Sequence, residues 1–265
     1  MSTPTPPRSS DAWIALQFTL AGVVWGASFL FIALALVGLS PVQVATGRTL
    51  VGAITLGLIA LVTRDRLPRS RRVWAHLLLL SVTFAVIPYM LFAWAQQYVA
   101  SGVASIVNAT TPIMTALIAG LAFRIERLKG EQVLGIVVGI VGVVVIVGPW
   151  QGLEPGSGGI APYLALLGAT ACYGFSLSYM RRFLSNSGVS AIVFSFVMIG
   201  LAAVWMLLLT PVIGADPVQL TPTVIIAIVL LGALGTGLAY AWNQNVVRAW
   251  GPTRAATVTY LSPPV

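Results

Sequence analysis

Apolar residues in this chain come in long unbroken blocks, and polar residues gather in the short stretches between them. Neither the alternation of a half-buried strand nor the narrow stripe of a surface helix is present, so the pattern predicts helices that are apolar on every face. Nine blocks stand out: Ala12 to Val37, Val42 to Val62, Trp74 to Ala95, Gly102 to Ala122, Gln132 to Gly148, Ala161 to Met180, Val189 to Thr210, Pro222 to Trp242, and Thr253 onward to Val265. About 20 residues at 1.5 Å rise cover a hydrocarbon core of roughly 30 Å, so the first eight are long enough, or nearly so, to cross a bilayer. The ninth is cut short.

Charge is distributed to match. Of the 14 Lys and Arg residues, 13 fall on every second connection. Arg64, Arg66, Arg69, Arg71 and Arg72 lie between blocks two and three, and Arg124, Arg127 and Lys129 between four and five. Arg181 and Arg182 lie between six and seven, Arg248 and Arg254 between eight and nine, and Arg8 ahead of the first. The alternate connections hold only Glu154 and Asp216. Because positive loops stay in the cytoplasm, the pattern predicts a multi-pass membrane protein with a cytoplasmic N-terminus. The net charge of +8 is then topogenic, and nucleic acid is not an expected partner. A composition of 58% hydrophobic and 8% charged residues, with a mean hydropathy of +0.97, agrees with one polytopic domain whose partner is the lipid bilayer.

Residues 1–11, rich in Ser, Thr and Pro, are expected to form a disordered cytoplasmic tail. Ala33-Leu34-Ala35 mimics a signal-peptide cleavage site, but the apolar run before it exceeds the usual 7 to 15 residues, so the first block is expected to stay attached. Cys172 is the only cysteine and cannot form an intramolecular disulfide. Trp13, Trp74, Trp150 and Trp250 fall at block ends, where indoles suit the headgroup layer.

The chain also repeats itself. Trp25-Gly26-x-Ser28 returns as Tyr173-Gly174-x-Ser176, and Trp94-x-Gln96 as Trp242-x-Gln244, both at an offset of 148 residues. Thr111-Pro112 matches Ser262-Pro263 at 151. A unit of five crossings is odd, so a second copy enters the membrane from the opposite side. The expected fold is therefore an all-α membrane protein of two inverted five-helix repeats, 12–148 and 161–265, joined by an extracytoplasmic linker at 149–160. Inverted repeats of this kind are a hallmark of secondary transporters.

Here the residues resemble a known family, the EamA-type members of the drug/metabolite transporter superfamily. The resemblance rests on Trp25-Gly26-x-Ser28-Phe29, Arg48, Thr111-Pro112, the stretch Glu126-Arg127-Leu128, Gln132, Gly135, Gly139 and Gly142-Val143, and Ala255-Ala256 with Leu261-Ser262-Pro263. It departs at Arg124-Ile125-Glu126, where the family usually has Leu-Gly-Glu. The resemblance implies a ten-helix fold, a cell inner (plasma) membrane location and metabolite export, so the second repeat is expected to be incomplete, the chain being truncated within helix 9.

Polar residues inside a bilayer are satisfied by neighbours or face a wet cavity. Ser105, Asn108, Thr111 and Thr115 share one helical face, as do Thr236, Tyr240 and Asn243, and then Thr259 and Ser262. Hydroxyls also serve as glue between helices. The aromatics Trp25, Tyr89, Trp94, Tyr173, Tyr179, Tyr240 and Tyr260 offer large faces with polar tips. From these come the candidate substrate-binding residues Trp25, Ser28, Tyr89, Trp94, Gln96, Asn108, Thr111, Tyr173, Ser176, Tyr240, Asn243 and Gln244. Gly26, Pro88, Pro112 and Gly174 are candidate hinges, with Gly232, Gly235 and Gly237 as further points of bending. Gly135-x-x-x-Gly139 reads as a close-packing pair.

Arg48 is the one charged residue well inside a block, about 9 Å from the outer boundary. Two readings are open for it: a structural one, snorkelling outward or bonding carbonyls, and anion recognition. His76 reads as an interfacial structural residue. No Asp or Glu lies inside any block, which argues against carboxylate-coupled proton exchange and against cationic cargo. With one His, one Cys, no H-E-x-x-H and no G-x-S-x-G, the chain is not expected to be an enzyme and no catalytic residue, metal or cofactor is expected. The expected function is secondary transport of a small neutral or zwitterionic metabolite, amino acid-like, probed against a non-transporting receptor or scaffold on the same fold. A second copy of the chain is a candidate partner.

Overall fold

The computed structural model describes residues 11–125, 130–147, 159–185 and 187–263. The expected tail with Arg8, the motif residues 126–129, and Trp150 and Glu154 in the linker lie outside the described residues, as does the side chain of Gln132.

The described chain is helical throughout. Helix α1 spans Asp11–Ala35 and α2 spans Pro41–Thr63. Next come α3 (Arg71–Ser81), a π-helical segment (Val82–Val86) and α4 (Ile87–Ala95). Then follow α5 (Ser101–Asn108), α6 (Thr111–Leu121) and α7 (Gly130–Val147). The later part holds α8 (Ala161–Phe183), α9 (Ala191–Ile213), α10 (Pro222–Leu230), a second π-helical segment (Leu231–Leu238) and α11 (Ala239–Trp250). It ends in α12 (Pro252–Ala256) and a 3₁₀ turn (Thr257–Leu261). Among the described residues, six helical runs are long and apolar enough to cross a membrane: Asp11–Ala35, Pro41–Thr63, Arg71–Ala95, Ser101–Leu121, Ala191–Ile213 and Pro222–Trp250.

Proline and small polar residues set many of these boundaries. Pro41, Pro112, Pro162, Pro222 and Pro252 sit in the first turns of α2, α6, α8, α10 and α12, where a missing N–H leaves no bond unmade. Ser190 and Thr221 cap α9 and α10 by accepting from the amides of Val193 and Val224 at 3.2 and 3.3 Å. Ser40 donates its amide to Gln43 Oε1 at 2.9 Å, tying the first turn of α2.

Three predicted blocks are not simple helices. The fourth breaks between Asn108 and Thr111, because Pro112 cannot continue α5 but can open α6. In the third, Pro88 has no N–H for the Phe84 carbonyl, and the preceding turns widen so that Ile87 N bonds Val82 O. The eighth widens at the repeat-equivalent place, with Ala239 N on Leu234 O, through a stretch holding Gly232, Gly235 and Gly237. It also extends past Trp242 to Trp250. The ninth is a five-residue helix followed by the 3₁₀ turn.

Leu30, Ile54, Leu58, Leu61, Leu208 and Val212 are exposed, an inside-out arrangement suited to lipid. Because lipid tails are as apolar as leucine, close packing rather than removal of apolar surface from water holds such helices together. That packing is visible where α2 runs along α9 and along the second π segment, with Leu56, Leu77, Leu80, Val193, Met198 and Ile199 buried between helices. A methyl added at Gly52 would lie 2.7 Å from Thr236 Cγ2, and one at Gly237 would lie 2.7 Å from Thr55 Cγ2. The Gly135–Gly139 pair divides: a methyl at Gly139 would meet Ile113 Cδ1 at 2.5 Å, whereas Gly135 faces open space.

Gly174, a candidate hinge, is held tightly. A methyl there would come within 2.7 Å of the Met114 carbonyl carbon and 2.8 Å of the Thr115 amide nitrogen, backbone atoms of α6 that cannot turn aside. Gly174→Ala is expected to destabilise the protein by roughly 1–3 kcal/mol through overpacking. Gly200→Ala, with nothing within 4 Å, serves as the control in thermal unfolding of the purified protein.

Candidate functional site

The helix breaks surround a central cavity. Each π segment is followed closely by a tyrosine, Tyr89 in α4 and Tyr240 in α11, and the two meet where Tyr89 donates its hydroxyl to Tyr240 Oη at 2.5 Å. Around them runs a chain of rings. Trp25 meets Tyr240 edge-on at 5.7 Å, Phe84 meets Tyr240 at 5.8 Å and Tyr173 at 5.2 Å, and Phe92 stacks on Tyr173 at 6.0 Å and meets Phe29 at 5.6 Å. Asn108 and Thr111 contribute from the α5–α6 break, and Val258 and Thr259 from the 3₁₀ turn. The space measures about 90 Å³, room for about three waters at roughly 30 Å³ each. That is well below the roughly 300 Å³ at which drug-sized pockets begin.

Most of the polar groups here are already engaged. Trp25 Nε1 donates to Gly235 O at 2.9 Å, Ser28 Oγ to Val24 O at 2.8 Å, Thr111 Oγ1 to Asn108 O at 2.7 Å, and Thr259 Oγ1 to Ala256 O at 2.9 Å. The cavity therefore presents mainly ring faces, together with Arg48 and the amides of Asn108 and Asn243.

Arg48 corrects the outward, snorkelling reading. It is only 6% exposed and turns toward the protein centre, where its Nε donates to Thr236 Oγ1 at 3.2 Å and its guanidinium carbon lies 3.6 Å over the Tyr89 ring. The side chain lines the cavity. Thr236 belongs to the second π segment and Tyr89 to α4, so two elements far apart in sequence hold one cation.

Of the sequence-predicted substrate residues, the cavity brings together Trp25, Ser28, Tyr89, Asn108, Thr111, Tyr173, Tyr240 and Asn243. Four lie elsewhere. Trp94 packs on Tyr98 at 5.2 Å, and Gln96 caps α4 with its side-chain amide buried and unpartnered. Ser176 donates to Thr83 Oγ1 at 2.8 Å, because one turn along α8 it points at the first π segment. Gln244 lines a separate opening. Tyr260, at 51% exposure, faces outward, and Tyr179 bonds His76 Nδ1 at 2.6 Å, fixing that histidine between α3 and α8. Sequence reading missed Phe29, Ile32, Phe84, Phe92, Leu177, Ala255, Ala256 and Val258, whose apolar side chains look like any other helix filling.

The separate opening holds about 680 Å³ at the arginine-rich end, between α8, α9 and α11. Arg181, Arg248, Ser187 and Gln244 line it, and Leu177 lines both it and the central cavity. The opposite end is tied shut. Gln43 Nε2 donates to the carbonyls of Gly214 and Asp216 at 2.9 and 2.8 Å, Gln219 N donates to Gly38 O at 2.9 Å, and the hydroxyls of Thr46 and Thr210 lie 2.6 Å apart.

A helical bundle built for lipid around a solute-sized chamber, with a vestibule on one side, has the form of a membrane transport protein. The comparisons with known proteins agree. The profile of the EamA-like transporter family matches residues 12–148 and again 160–265, and the chain belongs to that family. It is a membrane transporter and not an enzyme. Similar proteins include the uncharacterized transporter YdfC of Bacillus subtilis, 26% identical over 262 residues, covering 97% of this chain and 81% of the relative. Another is the uncharacterized inner membrane transporter YedA of Escherichia coli, 25% identical over 252 residues, covering 92% of this chain and 77% of the relative. A solved crystal structure shares the fold, with a TM-score of 0.67 at 19% identity, covering 96% of this chain and 88% of that one.

Proposed function

We propose that the protein is a secondary transporter that exports a small neutral or zwitterionic metabolite of amino-acid size across the cytoplasmic membrane by alternating access. Its two halves, 12–148 and 161–265, are inverted copies that rock about the central cavity, with the N-terminus in the cytoplasm. One observation carries the reading: the cavity is lined by repeat-equivalent positions from both halves, Trp25 with Tyr173 and Asn108 with Thr259. A site built symmetrically at the meeting of two halves is the site that such rocking exposes to each side in turn. The open vestibule at the arginine-rich end and the bonded latch at the other correspond to an inward-facing state.

The small volume and the aromatic lining favour an amino-acid-sized solute over a bulky drug. Proteoliposomes preloaded with single unlabelled amino acids and offered the labelled form test this directly. Counterflow above that of empty liposomes, for at least one amino acid, is the expected result. Saturable binding with no counterflow for any of them would mean a receptor on a transporter fold.

A further inference from the structure

We propose that Arg48 is the anchor for a substrate carboxylate, so that the acid group is the part of the substrate the protein recognises most strongly. This rests on the transport reading and names the substrate class of its cavity: a monocarboxylate with a small apolar body, in which an amino group is accessory.

A guanidinium has five N–H donors in a planar fork. Among the described residues Arg48 uses one, its Nε on Thr236 Oγ1, and its guanidinium carbon lies over the face of Tyr89. An arginine that served only to hold helices together in a bilayer would aim its terminal nitrogens at backbone carbonyls or a carboxylate. Here no carboxylate among the described residues lines the cavity. A buried cation that lines such a space is completed by an anion whose two coplanar oxygens match the fork.

The bond to Thr236 and the ring of Tyr89 fix the orientation of the guanidinium, so that it is preorganised before ligand arrives. One positive charge calls for one negative charge. Beyond it the cavity offers the rings of Trp25, Phe84, Phe92 and Tyr173 for an apolar body. An ammonium group finds ring faces but no acid, so it adds little. At the vestibule, Arg248 lines the wall and adds a positive charge there.

The test is ligand-induced thermal stabilisation of the purified full chain, titrated with matched pairs small enough for the cavity: propanoate against propanamide, and L-alanine against L-alaninamide. Each acid is expected to bind at least tenfold more tightly than its amide, with propanoate comparable to L-alanine. Arg48→Gln should erase the acid–amide difference, and Arg48→Lys should keep part of it. The wild-type comparison stands even if both variants fold poorly. Equal binding of acid and amide by the wild type, or no stabilisation by either acid, overturns the anchor. Amino-acid counterflow separates the two ideas: counterflow with no acid preference sinks the anchor and leaves the carrier, whereas acid preference without counterflow sinks the carrier and leaves the anchor.

Discussion

Oxidation of a Thr46→Cys, Thr210→Cys pair, placed in a Cys172→Ser chain, is expected to abolish counterflow, and reduction is expected to restore it. The two hydroxyl oxygens are 2.6 Å apart, close to the roughly 2.05 Å of a disulfide, so the cysteines need little movement to join. Thr46 lies near the start of α2 and Thr210 near the end of α9, at the arginine-free end where Gln43 and Gln219 also bridge the halves. Breaking the native contacts means exchanging a few hydrogen bonds of about 1 kcal/mol each, which thermal motion and substrate binding can supply. A covalent link removes that freedom. The reduced double variant should retain counterflow, which separates locking from mere loss of the threonines. Full counterflow by the cross-linked protein would show that these helix ends stay together through the cycle.

Gly232→Leu should have a comparably large effect by a different route. A methyl at Gly232 would sit 2.5 Å from Val51 Cβ and 3.1 Å from Arg48 O, and a leucine adds three more carbons to the same contact. The second π segment would have to leave α2, carrying Thr236 away from the Arg48 guanidinium and shifting Tyr240 behind it. Destabilisation is expected at the upper end of the roughly 1–3 kcal/mol that overpacking costs, with loss of counterflow in whatever protein folds. Ile226→Leu on the lipid-exposed side of α10 should leave both unchanged. Normal melting and counterflow in Gly232→Leu would mean that the close approach of this segment to α2 is not what holds the cavity together.

Sequence made the helices legible because long apolar blocks are strong one-dimensional signals, and six of the helical runs among the described residues are long and apolar enough to cross a membrane. The repeat was legible too, since Trp25-Gly26 and Tyr173-Gly174 keep their spacing. The breaks were readable only in part. Pro112 and Pro88 announced two of them, but nothing in Val82–Val86 itself distinguishes a π-helical turn from an α-helical one. The site shows the same limit. Trp25, Asn108, Tyr173 and Asn243 carry polar or aromatic chemistry at helical spacing and line the cavity, whereas Phe84 and Phe92 line it only because of where the bundle puts them. Gln96 and Gln244 lie away from it: the repeat copies residue types, but the turn of each helix decides which face meets the cavity. Arg48 was placed by its distance from the outer boundary, and its inward turn depends on Thr236, 188 residues away.

The most direct test of the inverted arrangement uses Arg66 and Asp216, exposed residues in the loops after the second crossing of each half. Each is replaced by cysteine in a Cys172→Ser chain and probed in intact cells with a membrane-impermeant maleimide. Two antiparallel halves predict labelling at 216 from outside and at 66 only after the cells are permeabilised. Labelling of both positions from the same side would contradict the inversion, and with it the rocking of two mirrored halves about one cavity.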